Sequence, residues 1–236
     1  SLAQTTENAG RVLATAGAEL PVVSGADRPL LRALFAALDV HGNDGLGGVL
    51  LPAPMQAMRP GAVNWIARVL RDHPAQTIDL LVLGPMTNIA HLIRQDPEAA
   101  QRIRRIVAMG GAIAERGNVG PRAEFNLAAD PEAAEVVLSA GLPLTLIPLD
   151  VTRKVRADPE DVARLAASAR PEAQASAALI EAYFQSTDGG DIPASRPLHD
   201  PCVMLFSEAP ELFGCEDMHL TVDLTPPRAV GAMIDG

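Results

Sequence analysis

Apolar and polar positions change rhythm repeatedly along the chain, and that rhythm predicts alternating helices and strands. Leu2 to Ala18 carries apolar residues at helical spacing with Thr5 or Thr6 as its cap, and "LPVVSGA" at 20–26 is a short apolar run closed by glycine. Residues 28–40 read as mostly helical. The stretch "HGNDGLGGVLLPAP" after them is a long loop, because its glycines and prolines forbid regular structure. "AVNWIARVLRDHP" is an amphipathic helix ended by Pro74, and "NIAHLIRQDPEAAQRI" is helical with a proline-marked break. "TIDLLVLG", "RIVAMGG" and "LPLTLIPLDV" are apolar at nearly every position, as parallel strands covered on both faces are. "DPEAAEVVLSAG" starts a helix at an Asp130 cap with Pro131 at its first position, and ends at Gly141.

From residue 158 helices dominate: "DPEDVARLAAS", "PEAQASAALIEAYFQS" and "HDPCVMLFSEAPELF", with a glycine-rich, mobile-looking "STDGGDIPASRP" between the last two. "MHLTVDL" and "AVGAMIDG" read as a terminal hairpin. These elements predict an α/β fold, a mostly parallel open sheet with helices on both faces. At 236 residues and 48% hydrophobic, the chain can bury one sizeable core, and we expect a single domain over 1–236.

Charge narrows the partners. A net charge of -10 argues against nucleic acid, which is bound mainly by Lys and Arg, and 3% aromatic content leaves few stacking platforms. A small neutral or cationic ligand fits better. Cys202 and Cys215 form no CxxC and suit two semi-buried thiols in a reducing compartment. No apolar run approaches the ~20 residues that span a bilayer, so no membrane partner and a cytoplasmic location are expected. Ser1 opens directly on helical periodicity and "AVGAMIDG" stops as an unfinished strand, so both ends read as edges of a fragment.

In an open parallel sheet, ligands bind beyond the carboxyl ends of the strands. Three signals fall there: Leu83-Gly84-Pro85, Met109-Gly110-Gly111, and the loop "GNVGPRAEFN" with Asn118, Glu124 and Asn126. Two Asn and one Glu suit vicinal hydroxyls that both give and receive hydrogen bonds; alternatively they satisfy loop backbone groups. In "RPLHDP", His199 can protonate a leaving group, while Asp200 can bind a hard cation or cap the helix. His41 heads the longest glycine-rich loop. No phosphate-cradling glycine motif occurs.

Taken in order, "HGNDGLGG", "LVLGPMTNIA", "IVAMGGA", "GNVGPRAEFNLAADPEAA", "LPLTLIPLDVT" and "PLHDP" closely resemble the inosine-uridine preferring nucleoside hydrolases, over essentially all of 1–236. The resemblance implies that Asn118, Glu124 and Asn126 bind ribose hydroxyls, with Phe125 and Met109 against the sugar and His41 near the nucleobase. It implies that His199 activates the leaving base, and that Asp200 and the Leu83 carbonyl ligate Ca2+. The family's Asp-x-Asp-Pro-Gly-x-Asp-Asp stretch after its first strand does not occur in this sequence. One carboxylate and one carbonyl cannot replace the ~6 to 8 oxygens that calcium takes, so the chain as it stands is expected to bind the metal weakly and to hydrolyse almost nothing. The first strand and calcium-binding turn would then be missing, exposing the sheet.

The reading implied is calcium-dependent hydrolysis of ribonucleosides to ribose and free base by the intact protein, as a homodimer or homotetramer. Its rivals are a non-catalytic ribose- or nucleoside-binding protein and a scaffold without ligand. Tyr183 and residues 187–196 lie where a mobile lid would meet the base, although Tyr183 suits a half-buried helix position equally.

Overall fold

A computed structural model describes residues 1–34, 42–185 and 194–224, with the backbone alone of 232–234. The elements run α1 (Leu2–Thr15), β1 (Val23–Ser24), β2 (Arg59–Pro60), α2 (Ala62–Asp72), β3 (Ile78–Val82), α3 (Thr87–Gln95), α4 (Pro97–Ala100) and β4 (Ile103–Met109). They continue with α5 (Phe125–Ala129), α6 (Pro131–Leu138), β5 (Leu144–Ile147), α7 (Leu149–Thr152), β6 (Arg156–Ala157), α8 (Pro159–Ala166) and α9 (Pro171–Gln185). Last come β7 (Arg196–Pro197), α10 (Pro201–Glu208), a 3-10 turn (Pro210–Leu212), β8 (Leu220–Val222) and β9 (Ala232–Ile234). The described residues form two compact units, one within Ser1–Asp27, Phe35–Gly61 and Arg156–Pro197, the other within Arg28–Leu34, Ala62–Val155 and Leu198–Gly236.

In the first unit, Ser1 caps α1 by accepting the Gln4 N–H. Thr5 and Thr6 already lie inside the first turn, so their hydroxyls bond back to the Leu2 carbonyl at 3.1 and 2.7 Å instead of capping. Asn8 is buried and donates to the Asp44 carbonyl at 2.8 Å, tying α1 to the glycine-rich loop. The expected strand at 20–26 shortens to β1, which pairs in parallel with β2. Tyr183 is half-buried with the Arg196 guanidinium 4.8 Å from its ring centre. Residues 187–193 of the expected lid lie outside the described residues, as does His41.

The second unit holds the parallel sheet, ordered β3-β4-β5. Period-two alternation sends Ile106 and Ala108 of β4 into one apolar cluster and Val107 and Met109 into another. On the first face pack Leu70 of α2, Ile89 and Leu92 of α3, and Ala133 and Val137 of α6. On the second pack Cys202, Val203 and Phe206 of α10. Helices therefore cover both faces, and each fully buried Leu or Val contributes about 1.5–3 kcal/mol. The terminal hairpin forms as β8 against β9.

Residues 28–34 are bends and irregular backbone, not the helix the periodicity predicts. The Leu30 N–H donates to Asp130 at 2.9 Å and Arg32 pairs with Glu132, so polar groups here serve tertiary partners instead of a helical turn. Residues 35–40 lie outside the described set. Of the two thiols, Cys202 is buried and Cys215 exposed, so neither is half-buried.

Candidate functional site

Three strand ends form the floor. The register sets Val82 beside Ala108 and Met109 beside Ile147, which brings Leu83, Met109 and the turn after β5 to one end of the sheet. Gly110 and Gly111 then redirect the chain. A Cβ at Gly110 would run into the Leu127 side chain, and Gly111 has φ +81, a conformation that favours glycine. The Gly111 N–H is thereby aimed at Glu124, to which it donates at 3.0 Å.

Glu124 is the centre of this arrangement. It caps α5, its Oε2 accepting also from the N–H groups of Asn126 at 2.9 Å and Leu127 at 3.2 Å. All three bonds fall on Oε2, so Oε1 lies outside them. Burial drives the Glu124 pKa up, the three backbone donors oppose it, and the negative charge of Asp200 adds to the rise. The two carboxylates therefore stand within electrostatic reach. Asn126 is buried and donates to the Met109 carbonyl at 3.1 Å. Asn118 is exposed and accepts the N–H of the half-buried Phe125 at 2.9 Å. Each of these polar side chains thus serves the backbone, and the geometry also gathers Met109, Asn118, Glu124, Phe125 and Asn126 into one bonded group.

His199 and Asp200 open α10, whose Cys202 and Val203 pack beside Val107, Met109 and Ile147. The His199 Nδ1 lies 2.7 Å from the hydroxyl of Thr152, the last residue of α7. Burial, then the nearby Arg153 guanidinium, pushes the His199 pKa below its ordinary value.

Four helices begin with Asp-Pro, at Asp96, Asp130, Asp158 and Asp200. In the first three the carboxylate accepts a backbone N–H, from Ala99, Ala133 and Asp161. Asp200 alone makes no side-chain cap bond; its own backbone is helical, at φ -61 and ψ -36. The capping alternative is therefore not the one it takes. Part of its surface is open to solvent, yet the protein atoms crowding the carboxylate displace enough water to raise its pKa to about 6.

Two contributors escaped the sequence reading. Asp150 accepts N–H bonds from Ile113, Ala114 and Glu115 at 2.8, 2.7 and 3.0 Å and so secures the loop after Gly111. Thr152 is buried against His199. Neither position carries a local signal, because their partners are 35–37 and 47 residues away in the chain.

Among the described residues no three His, Cys, Asp or Glu side chains come together as metal ligands. The Asp200 carboxylate and the Leu83 carbonyl suit a hard cation in kind, but two oxygens fall short of the ~6 to 8 that calcium takes. These residues do not by themselves make a calcium site.

Residues 1–235 match the family described as inosine-uridine preferring nucleoside hydrolase. An uncharacterised protein of Schizosaccharomyces pombe is 36% identical over 99% of this chain and 76% of its own length. The pyrimidine-specific ribonucleoside hydrolase RihA of Salmonella enteritidis is 42% identical over 83% of this chain, and the match spans 63% of that enzyme. Among solved structures, the purine-preferring ribonucleoside hydrolase from Gardnerella vaginalis superimposes with a TM-score of 0.88 at 27% identity, covering 99% of this chain and 76% of that one. The chain belongs to the inosine-uridine preferring nucleoside hydrolase family.

Proposed function

We propose that the protein hydrolyses the N-glycosidic bond of ribonucleosides, releasing ribose and a free base. The observation that carries this reading is the contrast among the Asp-Pro helix starts. Three Asp residues cap, whereas Asp200 stays uncapped within reach of Glu124 at the carboxyl end of the sheet. In this reading Glu124 Oε1, Asn118 and Asn126 hold the ribose hydroxyls, and Met109 and Phe125 lie against the sugar. His199 hydrogen-bonds the base as it departs, while positive charge develops on the sugar as in other glycoside cleavage. Two relatives are named for pyrimidine and purine substrates respectively, so either class of base is a candidate. Calcium, where bound, would orient the ribose and a water; Asp200 and the Leu83 carbonyl would offer it two oxygens, and further oxygens would be needed to complete its shell. A cytoplasmic homodimer or homotetramer completes the proposal.

The short oxygen count favours one second reading, ribose binding without hydrolysis. Ribose release from inosine and uridine, measured with the intact protein in calcium and in chelator, separates the two. His199→Ala is expected to lower kcat by about 100-fold or more. Unchanged turnover removes His199 from the reaction; protection against heat by nucleoside with no ribose released removes hydrolysis.

A further inference from the structure

Thr152 has no solvent-accessible surface. Leu149, three residues before it, belongs to the apolar cluster with Val107, Met109, Ile147 and Cys202, so valine would suit the Thr152 position in shape without adding a polar atom. A hydroxyl buried there needs a partner, since an unpaired O–H forfeits the bond it makes to water. Among the described residues its hydrogen bond is the one to His199 Nδ1, at 2.7 Å. The hydroxyl's single proton finds an acceptor there only when Nδ1 is bare; with a proton on Nδ1 the hydroxyl would accept instead, leaving its own O–H without a partner among the described residues. Satisfying that O–H therefore calls for a neutral ring whose proton sits on Nε2.

We propose that Thr152 is a positioning residue: its hydroxyl holds neutral His199 as the Nε2–H tautomer, so that this N–H faces the departing base. The chemical consequence rests on the hydrolase reading above; the tautomer does not. When the bond from the sugar C1′ to the base nitrogen breaks, its electron pair goes to the base. A hydrogen bond from Nε2–H then stabilises the growing negative charge there without a prior protonation of the ring. The opposite tautomer would present a lone pair to that charge and repel it.

The test compares the intact protein with Thr152→Val and Thr152→Ser. Long-range proton–nitrogen NMR on isotope-labelled histidine reads the tautomer; the chain has 5 His, and His199→Gln identifies the relevant signals. The wild type and Thr152→Ser are expected to show a protonated Nε2 and a bare Nδ1, whereas Thr152→Val shows a mixture. On inosine and uridine, Thr152→Val is expected to lose about 10- to 100-fold in kcat with KM nearly unchanged, and Thr152→Ser to recover most of it. Para-nitrophenyl riboside, whose phenolate leaves unaided, should be cleaved equally by all three. A packing role alone gives the reverse order, valine harmless and serine harmful for want of its methyl group. A wild-type ring protonated on Nδ1, or a valine variant matching wild type in tautomer and kcat, overturns the proposal. A wild type that hydrolyses nothing overturns the function proposed above, and the NMR then upholds or overturns the Thr152 contact by itself.

Discussion

At Glu124, buried to 3% exposure, the carboxylate gives up water and receives three backbone N–H bonds in exchange. Glu124→Ala leaves those donors without their acceptor and is expected to cost at least about 2 kcal/mol, read as a lower Tm. Glu124→Gln keeps an acceptor oxygen and should cost less, while both variants raise KM for ribonucleosides. Equal Tm for wild type and Glu124→Ala would show that the cap is dispensable. Asp150 gives the pH counterpart. Burial alone would raise its pKa, but the N–H groups of Ile113, Ala114 and Glu115 outweigh it and hold the carboxyl below its usual 3.8. A group whose pKa falls on folding contributes stability that is complete above the unfolded value and lost as pH drops through the folded one. Asp150→Asn should thus be less stable by about 1–2 kcal/mol at pH 7, with the gap closing below about pH 4. A gap that persists in denaturant melts at pH 2 would remove the ionised Asp150 as its source.

The loop from 117 to 123 is an element in its own right, closed by the Asn118 and Val119 N–H groups, both 2.9 Å from the Ala123 carbonyl. This close approach dictates Gly117: a Cβ there would lie 2.5 Å from the Ala123 nitrogen and nearer still to its carbonyl oxygen. Backbone cannot yield as a side chain can, so Gly117→Ala should open the loop, cost about 2–3 kcal/mol and raise KM through Asn118. Gly120, at φ +79, meets nothing within 4 Å, so Gly120→Ala carries only backbone strain of about 1–2 kcal/mol and leaves KM nearly unchanged. Denaturant melts and steady-state kinetics on the pair check the order; a harmless Gly117→Ala would contradict the close approach. Helix starts show how local signals divide. "DP" announces a capped helix at Asp96, Asp130 and Asp158, and the same letters at Asp200 do not.

For the whole molecule, the metal is the sharpest question. At this end of the sheet the Asp200 carboxylate and the Leu83 carbonyl fall short of a calcium ligand set, so millimolar calcium added to the protein should shift Tm by no more than about 1 °C. A shift of several degrees would mean that other oxygens in this chain complete the site. The sequence determined the alternation of helix and apolar strand, the coverage of the sheet on both faces, the capped helix start at Asp130 and the family, because periodicity, turn residues and motif order are all written in neighbouring letters. It misread the start of residues 28–40, where the Leu30 N–H and Arg32 serve partners about 100 positions away in place of a helical turn. Tertiary structure alone decided that Gly111 holds Glu124, that Asp150 secures the loop beyond it, that the Asp200 charge reaches Glu124, and that Thr152 meets His199. Those contacts join residues 13 to 47 or more positions apart, and hydrogen bonds and desolvation act through space, which no local pattern records.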